Sequence, residues 1–157
     1  MGDAAETLNG TAIALAGNAV LIRGASGSGK SDLALRCLAL APTALTAGPA
    51  ILVADDYVTV TRKGERLFAE APATIRGKLE VRGLGIVTVP CLESAELVLI
   101  ADLVAPEQIE RFPDPAPVAE LGGVKLPLLH IAPFEASAPV KLLVALAERF
   151  KRSSSGI

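Results

Sequence analysis

Gly24-Ala25-Ser26-Gly27-Ser28-Gly29-Lys30-Ser31 spells a glycine, four residues and then Gly-Lys-Ser, the pattern of a phosphate-binding loop. Each position has a physical task. The glycines let the backbone turn tightly and aim its N–H groups inward at anionic oxygens. Lys30 brings a point charge to the β- and γ-phosphates of a nucleotide, and the Ser31 hydroxyl is suited to ligate Mg²⁺. A helix that starts at the loop adds its positive N-terminal end.

The flanks supply the context that the motif requires. Ala19 to Arg23 reads as a short buried strand entering the loop. Ser31 to Leu40 follows as a helix, with Leu33, Ala34, Cys37, Leu38 and Ala41 on one apolar stripe and Pro42 as its stop.

Working outward, the chain has 157 residues, enough for a single domain with a sizeable core over residues 1–150. Hydrophobic residues make up 51% and aromatic ones only 3%, so the core is aliphatic. A net charge of −2 and the absence of Trp argue against a nucleic-acid surface or a base-stacking platform. No apolar run reaches the ~18 residues of a membrane span, and the acidic Met1–Glu6 segment does not read as a signal peptide. Cys37 and Cys91 lack CxxC spacing and read as reduced, buried cysteines of a cytoplasmic protein.

Thr11 to Leu15 is apolar, and Gly17-Asn18 turns it into the loop strand, which predicts a hairpin. Ile51 to Ala54 reads as a buried strand ending in Asp55-Asp56, a location that suits metal-binding or catalytic acids beside a phosphate loop. Tyr57–Arg62 and Arg66–Glu70 form a second hairpin about Gly64. Ile75 to Arg82 precedes Gly83-Leu84-Gly85 and a strand at Ile86–Val89. Alternation puts Glu80 and Arg82 on one face. A buried strand follows at 96–104, then a Pro-rich loop at 106–117. A third hairpin turns at Gly122-Gly123, with Pro127 marking an edge strand. Ala138–Phe150 is an amphipathic helix, and residues 151–157 read as a disordered polar tail. Two helices and several hairpins predict a mixed, mostly antiparallel sheet carrying a phosphate loop, an α/β fold, rather than a doubly wound one.

Three segments together resemble the catalytic domain of HPr kinase/phosphorylase: residues 24–31, Leu52-Val53-Ala54-Asp55-Asp56, and Leu79-Glu80-Val81-Arg82-Gly83-Leu84-Gly85-Ile86. The resemblance covers roughly residues 8–148 and looks like a short form without the amino-terminal domain. It implies the phosphate-loop fold shared with phosphoenolpyruvate carboxykinase, a hexamer, and transfer of phosphate from ATP to a serine of HPr. It also implies the reverse reaction with inorganic phosphate. Carried over, the eight loop residues hold the nucleotide and Lys30 its β/γ-phosphates. Ser31 ligates Mg²⁺, Glu80 resembles the second metal ligand, and Asp56 supports the metal or its neighbour. Asp55 resembles the acid/base, and Arg111 an active-site arginine; Arg82 joins them as a catalytic candidate within the third motif.

Two departures from the family pattern stand out. Asn9 occupies the place of a family histidine, 21 residues before Lys30, and cannot titrate near neutral pH. The Pro127–Glu135 stretch lacks the Gly-Arg-Asn run that serves dephosphorylation, and its His130 reads as a strand residue. Two alternatives remain open at this point: a catalytically weakened regulatory module that binds ATP or phosphate, and a small-molecule kinase on the same fold.

Overall fold

The computed structural model describes the backbone of residues 4–46 and 48–155, and side chains as far as Glu148. Eleven strands and two α-helices occur among these residues. The strands are β1 (Ala4–Asn9), β2 (Thr11–Leu15), β3 (Asn18–Arg23), β4 (Ala50–Ala54), β5 (Tyr57–Lys63) and β6 (Arg66–Glu70). After these come β7 (Lys78–Val81), β8 (Gly85–Thr88), β9 (Ala95–Leu103), β10 (Val118–Leu121) and β11 (Val124–Ile131). The helices are α1 (Lys30–Leu38), after β3, and α2 (Ala138–Ser155), after β11.

The expected hairpins form. Ala16 and Gly17 join β2 to β3 with φ of 52° and 81°, the pair of left-handed residues that lets a two-residue turn match the strand twist. Gly64 and Gly122-Gly123 also turn with positive φ, closing β5–β6 and β10–β11.

The main sheet runs β1-β5-β6-β9-β3-β2-β4, with β11 also beside β9 and β10 beside β11. Only β3·β9 and β9·β11 are parallel pairs among the described strands. β4 and β5 lie toward opposite ends of this order, yet only Asp55 and Asp56 separate them in the chain. The sheet therefore curls on itself. The Gly10 N–H donates to the Asp56 carbonyl at 3.0 Å across the seam.

Alternation along the strands divides the core in two. Ile13, Leu15, Val20, Ile22, Leu52 and Leu99 face α1 and α2. Ala12, Ala14, Ala19, Ala54, Ala69 and Ala95 face the inside of the curl, with Leu and Val filling between them. Strands buried on both sides read as unbroken apolar runs.

Several boundaries differ from the sequence reading. α1 begins one residue earlier and ends at Leu38, with Ala39 as its C-cap. β1 was not expected: its residues are mostly exposed and carry no apolar alternation. It is held by pairing to β5, including a Thr7–Thr59 hydroxyl contact of 3.1 Å. Residues 73–75 form a 3₁₀ turn, so the extended segment starts only at Lys78, and β7 and β8 pair as a separate hairpin. Pro127 sits opposite Val118, one residue before β11 begins to pair with β9, so its missing N–H falls where the strand changes partners. The helix expected to end at Phe150 continues through Ser155, because the polar residues after 150 carry no breaker; Gly156 and Ile157 lie outside the described residues. Cys37 is buried, Cys91 is partly exposed and both are free. No helix among the described residues is long and apolar enough to cross a membrane.

Candidate active site

The phosphate loop leaves β3 at Gly24 and enters α1 at Lys30. A Cβ at Gly24 would lie 2.5 Å from the Ser28 Oγ and 3.3 Å from the Leu103 Cβ, so a larger residue there would displace the Ser28 side chain. Gly29 adopts φ of 104°, a conformation that L side chains rarely reach. The Leu33 N–H donates to the Gly29 carbonyl at 2.9 Å, which closes the first turn of the helix. At the root of the loop, Arg23 forms a bidentate pair with Asp102 at 2.7 and 2.9 Å. That hydrogen bond raises the Arg23 guanidinium above its ordinary range and ties the end of β3 to the end of β9.

Lys30 is only 8% exposed. Its ammonium donates to the carbonyls of Gly24 and Ala25 at 2.8 and 3.0 Å. The cation thus lies folded against its own loop, within reach of whatever the loop N–H groups bind.

Asp55 is the most enclosed acid of the site, at 4% exposure. Its carboxylate accepts from the Ser31 hydroxyl at 2.7 and 2.9 Å, from the Thr11 hydroxyl at 2.8 Å and from the Glu80 backbone N–H at 3.0 Å. A buried carboxylate is tolerated when donors surround it in this way. The network joins four segments: β2, the loop helix, β4 and β7. Because the Ser31 proton points at Asp55, the lone pairs of that oxygen are free for a metal ion.

Asp56 is adjacent in sequence and opposite in setting. It is exposed and takes φ of 70°, which Asp tolerates better than most residues. The turn is pinned by the Tyr57 N–H on the Asp55 carbonyl at 2.8 Å. This half-turn buries the first carboxylate and delivers the second to a cavity of about 490 Å³. Lys30, Ser31, Asp56, Glu80 and Arg82 all line that cavity, as does Asn9 at the end of β1.

Among the described residues, no three His, Cys, Asp or Glu side chains are grouped as a metal cage. Mg²⁺ does not need one: it usually takes one or two carboxylates and completes its shell with phosphate oxygens and water. Ser31 with Glu80 or Asp56 fits that pattern, and the available lone pairs of the Ser31 oxygen support it.

The structure brings together the loop, Asp55, Asp56, Glu80 and Arg82. It does not bring Arg111 to the cavity. The loop after β9 passes through a 3₁₀ turn at Pro106–Gln108, and the exposed Arg111 guanidinium lies 5.4 Å from the Phe112 ring centroid. His130 is a β11 residue opposite Asp102, as a strand position implies. Thr11 was missed as a site residue because a threonine opening an apolar strand looks like ordinary packing. Phe134, which also lines the cavity, could have been noticed as a rare aromatic in an aromatic-poor chain.

A family model described as the HPr serine kinase C-terminal domain matches residues 3–157. The HPr kinase/phosphorylase of Mycoplasmopsis pulmonis is 28% identical over 160 residues, covering 95% of this chain and 49% of the relative. That of Caldicellulosiruptor bescii is 36% identical over 136 residues, covering 80% of this chain and 41% of the relative. The chain thus spans about half the length of the curated relatives it matches. The solved HPr(Ser) kinase/phosphatase from Coxiella burnetii shares the fold, with a TM-score of 0.75 over 96% of this chain and 93% of that one at 22% identity. The same motifs that build the cavity lie within the matched region, and the chain belongs to the HPr serine kinase C-terminal domain family.

Proposed function

We propose that this chain forms a kinase domain that transfers the γ-phosphate of ATP to a serine hydroxyl of the phosphocarrier protein HPr. The observation that supports this reading is a buried, fully hydrogen-bonded Asp55 next to an exposed Asp56 that lines the same cavity as Lys30 and Ser31. A module that only binds phosphate needs the loop; it does not need an exposed acid delivered to the same cavity.

The loop N–H groups and Lys30 receive the polyphosphate, and Lys30 exchanges its two carbonyl partners for phosphate oxygens. Asp55 fixes the Ser31 rotamer through the hydroxyl proton, with Thr11 and the Glu80 N–H holding Asp55 in turn. Mg²⁺, bound at Ser31 with Glu80, would neutralise charge developing on the phosphates. As the serine oxygen bonds to the γ-phosphorus, its proton passes to a carboxylate and the bond to the β-phosphate oxygen breaks, leaving ADP. Asp55 was the expected acceptor from sequence. Its carboxylate already takes three partners in a buried setting, so we assign the proton to Asp56 and a positioning role to Asp55. Arg82 lines the cavity as a further cation for the transferring group.

The residues at 128–134 offer no Gly-Arg-Asn run for phosphate attack on phosphoserine, so the forward direction is the main activity and phosphorolysis with inorganic phosphate the minor one. The setting is the cytoplasm, and assembly is a homo-oligomer, a hexamer on the family's pattern. Exposed Leu84, Ile86, Phe112 and Val118 supply apolar surface for self-contact.

The test is to incubate the protein with labelled ATP, Mg²⁺ and purified HPr, and to map the product. Phosphoserine on HPr is expected. Absence of transfer to serine would overturn the proposal, and a monomer at micromolar concentration in sedimentation would overturn the assembly.

A further inference from the structure

The phosphate chemistry leaves one large feature unused. A second cavity, of about 510 Å³, opens on the other side of the loop tip, within the ~300–1,000 Å³ typical of small-molecule sites. Ser28 forms its loop wall, and Leu103, Val104, Pro106, Pro133 and Phe134 form most of the rest. It lies past the C-terminal ends of β9, the parallel neighbour of β3, and of β11, the parallel neighbour of β9. In open parallel sheets, ligands bind outside the carboxyl ends of the strands.

Phe134 links the two cavities, since it lines both. Its ring is 73% exposed, although large apolar groups favour burial. It is also held in place. The ring rests against Gly29, where a Cβ would come within 2.9 Å of the Phe134 Cζ. The Arg36 guanidinium, paired with Asp32 on α1, donates to the Pro133 carbonyl. The loop helix therefore sets the position of an open aromatic face at the boundary between a polar cavity and an apolar one. At the far wall, the Gln108 side-chain carbonyl accepts from the Ala105 N–H at 2.9 Å, which commits the carbonyl and not the NH₂ group.

We propose that this second cavity holds the nucleobase of the nucleotide whose phosphates occupy the loop. Phe134 stacks on the base, and the Gln108 NH₂ group donates to its edge. The inference rests on the kinase reading for the presence of a nucleotide. The acids then lie on one side of the phosphates and the base on the other, so that HPr approaches past Asp56 without displacing the base.

Calorimetry with Mg²⁺ plus either ATP or inorganic tripolyphosphate separates the two ideas. The parent should bind ATP more tightly than tripolyphosphate. Phe134→Ala should weaken ATP by about tenfold or more relative to tripolyphosphate, the loss of one stacked base. Phe134→Tyr should restore ATP. Ala105→Phe, which fills the cavity from the opposite wall, should repeat the selective loss. Equal parent affinity for the two ligands would overturn the base site and spare the kinase reading. No binding of either would overturn both. An unchanged ATP affinity with a raised KM for HPr in Phe134→Ala would overturn the base site in favour of a seat for the protein substrate.

Discussion

The two halves of the phosphate cavity are built on opposite principles. On the closed side, Lys30, Thr11 and Asp55 are buried, and each has its polar atoms bonded within the protein. On the open side, Asp56, Glu80 and Arg82 are exposed or nearly so, supported by a turn and a hairpin. Groups that set geometry must be rigid before a ligand arrives. Groups that exchange protons with a substrate must stay accessible. On the proposed roles, Asp55 and Asp56 meet these two demands across a single peptide bond, one buried and one exposed.

The largest effect that can break this contrast is in Asp56→Asn. Phosphotransfer should fall by roughly 10²–10⁴, the contribution of a general base, with ATP affinity intact. Steady-state rates beside calorimetric affinities check it. If Asp55→Asn shows that kinetic signature at an unchanged melting temperature, the two roles are reversed.

Lys30→Ala comes next. Removing the ammonium should slow transfer by about a hundredfold or more, because its charge matters most as the phosphoryl group moves. Circular dichroism should show the fold retained. Near-normal turnover would take the loop out of the chemistry.

Asp55→Asn is expected to act chiefly through stability. The amide places donors where the carboxylate accepted, opposite the Glu80 N–H or the Ser31 hydroxyl. A cost of about 1–3 kcal/mol is expected for a buried group left without its partner, to be read from urea unfolding. An unchanged midpoint would show that the closed side is not closed.

Asn9→His sharpens the contrast from the rim. Asn9 shares the cavity with Asp56. An imidazole there becomes cationic below about pH 6.5 and favours a neighbouring ionised carboxylate. The acid limb of the rate profile should therefore move to lower pH. A superimposable profile would make Asn9 a neutral replacement.

The smallest effect concerns Cys37. Burial pushes its thiol up to about 12 from 9.0, with Arg36 pulling weakly the other way. The folded state keeps this proton longer than the unfolded chain. Its contribution to stability is thus complete below about pH 9 and declines as pH rises toward 12. At neutral pH, Cys91 should take up a thiol reagent while Cys37 waits for unfolding; simultaneous labelling would contradict the packing around α1.

Much of this was legible in the residues. The loop, its strand and its helix follow from spacing and apolar stripe, and the hairpins follow from glycines between apolar runs. β1 was not legible, because Ala4–Asn9 lacks alternation and owes its existence to β5, about fifty residues away in register. The order of Asp55 and Asp56 was not legible either. Both end the same apolar strand, and only the positive φ of Asp56 decides which carboxylate turns inward. Arg111 matched a spacing, yet a Pro-rich loop carries it away from the cavity. Phe134 follows a strand in an unremarkable turn, and its place beside Gly29 appears only when β11 is set parallel to β9.

The Arg23–Asp102 pair at the foot of the loop spans 79 residues, and that has a consequence for biosynthesis. During translation the complete Gly-Lys-Ser motif leaves the ribosome long before the acid that anchors it. Until β9 follows, β3 has only its hairpin partner, and the loop has no parallel neighbour to aim it. Long-range pairing of this kind is slow because the intervening chain must first be brought together. A nascent chain halted before residue 102 therefore carries the whole motif without the strand and the acid that anchor its loop.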